Sequence, residues 1–184
     1  MLRLFDVVFS LLGLALCMPL LAVLWVVGFL DTGLPFFRQV RVGRYQRPFT
    51  LVKFRTMRPG TVSVATHLAD PLTITVWGGF LRRTKLDELP QLWNVLKGEM
   101  SLVGPRPCLP NQSELIAARE RRGVFAARPG ITGLAQVNGV DMSDPERLAD
   151  LDAVMVKTLT APSYLRYLVL TVLGRGAGDR VRER

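Results

Sequence analysis

The chain has 184 residues, 49% of them hydrophobic, and a formal net charge of +9. This length allows one globular domain and is too short for two domains of ordinary size. This apolar and strongly basic composition points to a membrane-surface protein or a nucleic-acid binder. The two cysteines, Cys17 and Cys108, lie far apart, which excludes a disulfide framework or a cysteine metal site and favours a reducing compartment.

Residues 7–30 form an uncharged, apolar run of 24 residues. As one helix it would be about 36 Å long, enough to cross a hydrocarbon core of roughly 30 Å. It is too long for a signal-peptide core and no small-residue cleavage site follows it, so we expect it to be retained. Pro19 divides the run into halves that each reach only the bilayer middle. Two topologies remain open: a single span kinked at Pro19 and a re-entrant helix–break–helix. The single span is slightly favoured, because a helix break inside the lipid is tolerated only if the backbone carbonyls that it frees find hydrogen-bond partners.

The segment after this run is basic. Between Asp31 and Asp70 there is no acidic residue, whereas the basic residues are Arg38, Arg41, Arg44, Arg47, Lys53, Arg55 and Arg58. Aromatic and β-branched runs at 36–42 and 49–57 predict a β-hairpin, and the polar stretch 58–70 predicts a loop. The cluster places the following domain on the cytoplasmic side, against anionic lipids of the inner leaflet. Nothing near the single histidine, His67, resembles a Ser-His-Asp hydrolase.

An amphipathic helix is predicted over residues 87–98. Its apolar residues recur at i, i+3, i+4 and i+7: Leu89, Leu92, Trp93 and Leu96. Asp87 is placed to cap its start. Three cations precede Asp87 and Glu88, an environment that binds anions and keeps a carboxylate ionised. An ionised aspartate can attack phosphorus once arginines and a divalent metal neutralise the phosphate oxygens. Local spacing alone favours a simpler interpretation, a helix cap followed by a solvated glutamate.

The second half of the chain alternates rigid loops with helices. Loops are predicted at 104–107 and 128–133, and a polar helix at 111–122. A capping box from Ser143 to Glu146 opens a helix that runs to about Leu159. The apolar stretch 164–173 lies in the membrane interface or against the core, and a basic tail follows it.

Asp150-Leu151-Asp152 resembles the metal-binding D-x-D of nucleotide-sugar glycosyltransferases, but the helix argues against this role. At about 100° per residue the two carboxylates point roughly 160° apart, so one metal cannot take both. Asp150 falls on the polar face and is solvated. Asp152 falls in the apolar stripe, where it needs an arginine, a metal or a hydrogen-bond network.

These motifs resemble the small bacterial initiating sugar transferases, which are monotopic polyprenyl-phosphate phosphoglycosyl transferases. The likeness covers nearly the whole chain in order, including the membrane segment. The matching strings are KFRTM at 53–57, LR at 81–82, LDELPQLWNVLKGEMS at 86–101, VGPRP at 103–107 and RPGITGLAQV at 128–137.

The resemblance implies a reaction and its residues. A sugar phosphate would pass from a UDP-sugar to polyprenyl (undecaprenyl) phosphate through Asp87, with release of UMP. Glu88 would complete the catalytic dyad, and Mg²⁺ would sit at Asp87. The implied substrate- or phosphate-binding residues are Lys53, Arg55, Arg82, Arg106, Arg128 and Asp152.

The resemblance also implies the architecture. The fold would be α+β and mainly helical, with a re-entrant membrane helix broken at Pro19, interfacial amphipathic helices, a small basic β-hairpin and an active site on the cytosolic face of the bacterial inner membrane. We expect a membrane helix at 1–31, a catalytic domain at 32–173 and a basic tail at 174–184. No nucleic-acid partner is implied, and a homodimer is one state that the family allows.

The chain departs from the family pattern at several positions. Val140 replaces a usual arginine, Val154-Met155 an aromatic pair, Arg166 an acidic residue, and Met18 a serine that often precedes the proline. Because the dyad is intact, these changes bear on which sugar is used and not on the reaction.

Two other functions remain as rivals. A membrane-tethered module that binds anionic lipid or nucleic acid through the basic hairpin would not need Asp87. A metal-dependent glycosyltransferase would release UDP instead of UMP.

Overall fold

The computed structural model describes residues 2–61 and 70–174. In chain order the elements are α1 (Leu2–Thr32), β1 (Phe36–Val42), β2 (Pro48–Phe54), α2 (Val76–Thr84), α3 (Gln91–Lys97), β3 (Ser101–Val103), α4 (Ser113–Arg121), β4 (Gly130–Thr132), α5 (Leu134–Val137), α6 (Pro145–Thr158) and α7 (Ala161–Val172). The mainly helical α+β class is confirmed. His67 and most of the predicted basic tail lie outside the described residues.

Helix α1 is anchored at its start by two charged side chains. Arg3 donates from Nη1 to the carbonyl of Val95 at 2.7 Å, at the end of α3. Asp6 is 3% exposed and its Oδ1 accepts from Ser101 Oγ at 2.8 Å and from the Tyr164 hydroxyl at 2.8 Å. A buried carboxylate needs such donors, so Asp6 joins α1 to β3 and α7.

The same face of α1 stays in contact with the rest of the chain further along. Leu24 is buried with Phe54 of β2 and Leu81 of α2, and a Cβ on Gly28 would lie 3.4 Å from Pro35. The opposite face exposes large apolar side chains, among them Leu11, Leu12, Leu16, Val23, Trp25, Phe29 and Leu30. Helix α1 therefore has one face packed on protein and one apolar face left uncovered.

Among the described residues α1 is the one helix long and apolar enough to cross a membrane, by length and composition. Its helical assignment continues across Pro19, which is exposed. Helix α1 is therefore not divided into two helices at Pro19, and the re-entrant hairpin stays a prediction.

The predicted β-hairpin is confirmed. Strands β1 and β2 pair antiparallel from Phe36 opposite Phe54 to Val42 opposite Pro48. Strand β2 therefore begins one residue before the start of the predicted run at 49–57 and ends three residues before the end of that run. Its basic residues are not uniformly solvated, because Arg41 and Lys53 are each 8% exposed. This burial is the first sign that part of the basic cluster serves the interior.

Strands β3 and β4 form a second, parallel pair, and the loop predicted at 104–107 follows β3 directly. Ser101 lies opposite Gly130 and Val103 opposite Thr132. A Cβ on Gly104 would lie 2.4 Å from the Arg128 carbonyl oxygen, so only glycine permits this approach of the two chains. The loops that follow β3 and β4 therefore leave the same edge of the pair.

Helices α4, α6 and α7 complete the domain. The predicted helix at 111–122 is confirmed in shorter form as α4, and the helix ending near Leu159 is confirmed as α6. The predicted capping box is wrong in detail: Asp144 is the N-cap of α6 and its Oδ1 accepts from the Arg147 amide at 3.2 Å. Asp144 precedes Pro145 directly, so the helix starts one residue later than a Ser143 cap requires. Helix α7 buries Tyr164 and exposes Leu165, Val169 and Val172.

Candidate active site

Asp87 and Glu88 lie in a tight turn and not at a helix start. The 3₁₀ segment Leu86–Glu88, called here the dyad turn, follows α2 after Lys85, which is left-handed at φ 58°. The predicted capping role of Asp87 is wrong, because the N-cap of α3 is Pro90. In a helix capped by Asp87, Pro90 would be the third residue, and it has no amide hydrogen that the Asp87 side chain could accept. The chain instead makes a 3₁₀ bond from the Leu89 amide to the Leu86 carbonyl at 3.3 Å.

The two acids of the dyad turn differ in burial and in partners. Asp87 is 4% exposed, and its side chain is not without a partner. Glu88 Oε1 accepts from Arg106 Nη2 at 2.9 Å, between side chains that are 13% and 23% exposed. A charge-assisted bond in such a partly dry setting is stronger than one on the surface. Arg106 thus holds Glu88 while Asp87 lies below the surface beside it.

Both α2 and β2 pack against the dyad turn. A Cβ on Gly78 of α2 would collide with the Thr56 backbone, so glycine lets α2 approach the end of β2 closely. One helical turn later, Arg82 donates from Nε to Thr56 Oγ1 at 2.8 Å. Lys53, on β2, has its ammonium 5.8 Å from the Phe37 ring centroid. The elements packed on the dyad turn therefore carry Lys53 and Arg82, whose role in substrate binding stays a prediction.

Two other predicted residues, Arg55 and Arg128, donate to backbone carbonyls. Arg55 donates to the carbonyls of Leu34 and Phe36 at 2.9 and 3.3 Å, beside the start of the hairpin. Arg128 donates from Nε to the Gly98 carbonyl at 2.9 Å. It lines a separate cavity of about 320 Å³ whose lining residues include neither acid of the dyad turn: Gly43, Arg44, Tyr45, Arg47, Pro48, Phe49, Gly98, Glu99 and Arg128.

Asp152 is paired with an arginine. Its side chain is fully buried, and Oδ2 accepts from Arg119 Nη2 at 2.6 Å and from Nε at 3.0 Å. Burial raises the pKa of the Asp152 carboxyl above its usual value, although the Arg119 guanidinium lowers it. Asp150 instead faces solvent and pairs with Arg122. The predicted divergence of the two carboxylates is therefore confirmed.

Arg119 is the functional candidate that sequence reasoning missed. It is 2% exposed and donates from Nη1 to the Arg106 carbonyl at 2.8 Å, which connects Asp152 to the loop that carries Arg106. The signal was present in the sequence: Arg119 lies one helical turn after Leu115, on the buried face of an otherwise polar helix. A cation on that face and an acid in the apolar stripe of α6 each called for a partner.

The acids of the dyad turn fit one kind of metal site. No group of three or more His, Cys, Asp and Glu side chains in the described part of the chain is placed to hold a metal ion. Mg²⁺ at nucleotide sites is commonly bound by one or two carboxylates together with substrate phosphates and water. Asp87 and Glu88 therefore suit an ion shared with a bound diphosphate and do not suit an ion held by protein alone.

Comparison with known proteins places this geometry in context. Residues 1–175 match the family described as bacterial sugar transferase. An uncharacterized sugar transferase of Bacillus subtilis, EpsL, is 40% identical over 92% of the chain and 84% of its own length. The undecaprenyl-phosphate galactose phosphotransferase of Salmonella typhimurium is 37% identical over 86% of the chain, and the UDP-glucose:undecaprenyl-phosphate glucose-1-phosphate transferase of Caulobacter vibrioides is 40% identical over 85%. The chain spans 37% and 63% of the length of these two relatives.

Proposed function

This chain belongs to the bacterial sugar transferase family, and from that premise we propose that it moves a sugar 1-phosphate from a UDP-sugar to polyprenyl (undecaprenyl) phosphate. The products are a polyprenyl-diphosphate-sugar and UMP. The reaction is the first membrane step in building a bacterial polysaccharide or glycoprotein glycan. Relatives named for undecaprenyl-phosphate transferase reactions support this assignment.

The observation that carries the proposal is the dyad turn with Arg106 bonded to Glu88. In the first step a carboxylate oxygen of Asp87 attacks the phosphorus that bears the sugar. The bond from that phosphorus to the bridging oxygen breaks, and UMP leaves with the electron pair. In the second step an oxygen of polyprenyl phosphate attacks the same phosphorus and the bond to Asp87 breaks.

The surrounding groups have separate tasks. Arg82, Lys53 and Arg106 neutralise phosphate oxygens as charge redistributes in the transition state. Glu88, held by Arg106, either accepts a proton from the acceptor phosphate and so activates it or helps to hold the metal. Mg²⁺, when bound with the diphosphate, would supply further positive charge at Asp87. Because the donor and the acceptor bind in turn, two anionic substrates never have to share the site.

We place this reaction at the cytoplasmic face of the inner membrane, where anionic lipids contact the basic residues that follow Asp31. A helix of 31 residues is about 46 Å long. Contacts with the domain run from Arg3 to Leu24, so an α1 upright across the bilayer would draw its packed neighbours into the hydrocarbon. A helix that enters and returns to the same face, bent at Pro19, avoids this. Helices α2 and α7, which expose Val76, Phe80, Leu165, Val169 and Val172, then lie in the interface.

Intact mass of the purified chain tests the proposal. After incubation with a panel of UDP-sugars and Mg²⁺, without lipid acceptor, one sugar should add the mass of its phosphosugar and release one UMP. The adduct should map to Asp87, and the Asp87→Asn variant should form none. Release of UDP with lipid present, or full turnover by Asp87→Asn, would overturn it.

A further inference from the structure

The loop that carries Arg106 is fixed at four consecutive carbonyls, each by a different donor. The Pro105 carbonyl accepts from the Gly130 amide at 2.8 Å, and the Cys108 carbonyl accepts from the Val42 amide at 2.9 Å. Between them, the Arg106 carbonyl accepts from Arg119 and the Pro107 carbonyl from Arg41. Two of the four residues are prolines with a fixed φ. The backbone beneath Arg106 is therefore tied to β4, α4 and β1.

The two arginines use their guanidinium groups in the same way. Arg119 places Nε and Nη2 on Asp152 Oδ2 and sends Nη1 to the Arg106 carbonyl at 2.8 Å. Arg41 places Nε and Nη2 on Gln39 Oε1, at 3.0 and 2.6 Å, and sends Nη1 to the Pro107 carbonyl at 3.0 Å. In each arginine, Nε and Nη2 bind a buried acceptor, and Nη1 donates to a carbonyl of the loop.

We infer that Arg119, held by Asp152, and Arg41, held by Gln39, are positioning residues that fix Arg106 against Glu88 for phosphoryl transfer. Asp152 then acts through Arg119 and does not touch the substrate, in contrast to the substrate-binding role that the family resemblance implied. The inference rests on the proposed transferase function, because Arg106 and Glu88 are its phosphate-handling groups.

Stability alone does not account for the buried pair. Apolar residues of similar volume often replace a buried ion pair without loss of stability, because the desolvation of two charges offsets their attraction. The bond from Arg119 Nη1 to the Arg106 carbonyl has no apolar substitute. Losing it frees the backbone directly beneath Arg106, and a displacement of about 1 Å in a catalytic group costs on the order of 10²-fold in rate.

The test compares two ion pairs that join α6 to α4 or to Arg122, the residue directly after α4. The double variant Arg119→Met/Asp152→Leu removes the buried pair, and Arg122→Met/Asp150→Leu removes the exposed pair, whose Nε lies 2.7 Å from Asp150 Oδ1. Full-length proteins are assayed for UMP release with UDP-sugar and polyprenyl phosphate. The buried-pair variant should lose about tenfold or more in kcat with little change in KM, and the exposed-pair variant should keep wild-type values.

A double-mutant cycle separates positioning from general damage. Arg106→Ala lowers kcat by itself, and in that background the buried-pair substitutions should add almost nothing, because the side chain that they position is gone. Losses that multiply would overturn the inference, and so would an unchanged kcat in the buried-pair variant. Where the double variant does not fold, Arg119→Lys, which keeps the charge beside Asp152 but loses the planar fork, is carried through the same cycle.

Hydrogen exchange gives a readout that does not depend on turnover. In the buried-pair variant the amides of Gly130 and Val42, which donate to the loop carbonyls of Pro105 and Cys108, should exchange faster, while amides in the middle of α4 and α6 keep wild-type protection. Unchanged exchange at Gly130 and Val42 would overturn the inference even in an active enzyme. A wild-type protein that releases no UMP would overturn the proposed function instead, so the two failures are distinguishable.

Discussion

Two acidic pairs of similar appearance in the sequence have different environments in the structure. Asp87 and Glu88 are adjacent in a 3₁₀ turn, both are largely buried, and Glu88 is bonded to Arg106. Asp150 and Asp152 are two residues apart in the α-helix α6. Asp150 is exposed to solvent and pairs with Arg122, whereas Asp152 is buried and pairs with Arg119. The first pair converges on one region, whereas the second is divided between surface and core.

The difference shows that backbone geometry decides what a pair of carboxylates can do. A tight turn next to two packed elements keeps neighbouring acids at one site, beside cations from other parts of the chain. An α-helix turns about 100° per residue and sends acids at i and i+2 to nearly opposite sides. The spacing of acids in a sequence therefore has meaning only together with the backbone that carries them.

The largest contrast is expected in turnover. Asp87→Asn should lower kcat for sugar-phosphate transfer on the order of 10³-fold or more, because the amide is a poor nucleophile toward phosphorus. Asp150→Asn should stay within about twofold of wild type, since a surface substitution disturbs little. Rates of UMP release with both substrates measure the contrast, and equal rates for the two variants would remove it.

The next contrast is in stability. Asp152→Ala removes the acceptor of two bonds from the buried Arg119 guanidinium and should destabilise the protein by about 3–5 kcal/mol. Asp150→Ala should change the free energy of unfolding by no more than about 0.5 kcal/mol. Chemical denaturation in detergent, followed by tryptophan fluorescence, compares the two variants. A loss at Asp152 no larger than that at Asp150 would mean that the buried pair contributes nothing to the folded state.

A smaller effect is expected at the arginine that holds the dyad. Arg106→Ala removes the bond to Glu88 and a cation for the phosphates, and should lower kcat/KM on the order of 10²-fold. Arg122→Ala, which removes the partner of the exposed Asp150, serves as the matched control and should leave kcat/KM unchanged. An equal fall in both variants would show that positive charge in general, and not its place beside Glu88, matters.

The smallest effect concerns pH. A hydrogen bond from Arg122, followed by its charge and that of Arg121, lowers the pKa of Glu146 below its usual value of 4.5. A lowered carboxyl pKa stabilises the folded state above the usual value, and this stabilisation is lost as pH falls below it. Between pH 5 and pH 3 (about the range that matters) the melting temperature should fall less in Glu146→Gln than in wild type. Identical pH profiles would show that this exposed network contributes nothing.

The pKa of Asp152 is shifted in the opposite direction from that of Glu146. Burial raises its pKa, so the folded state takes up a proton more readily than the unfolded chain. The associated stabilisation is present below the usual pKa and is lost as pH rises through the raised value. Glu146 and Asp152, both on α6, therefore respond to acid in opposite directions.

Much of the fold could be predicted from local pattern. The apolar run, the β-hairpin and α4 and α6 follow from periodicity, length and turn residues, which report local structure well. The start of α3 could not be predicted, because the apolar repeat continues through Pro90 while the backbone changes to 3₁₀ geometry. A left-handed Lys85 leaves no mark in the sequence.

The candidate site was predictable in part. Asp87, Glu88 and Arg106 were found through motifs, and the odd position of Asp152 indicated a missing partner. The identity of that partner depends on the packing of α4 against α6, more than thirty positions apart in the chain. Such long-range pairing has no local signature, so Arg119 and Arg41 were recognisable as unusual residues but not as supports of one loop.

The anchoring of α1 through Asp6 determines what happens when the protein leaves the membrane. A protease that cuts after Thr32 would not release a working soluble enzyme. It would strip the Tyr164 hydroxyl of its acceptor and uncover Phe54 and Leu81 next to the dyad turn. We therefore expect loss of α1 to disturb the packing beside the dyad turn as well as to detach the chain from the bilayer.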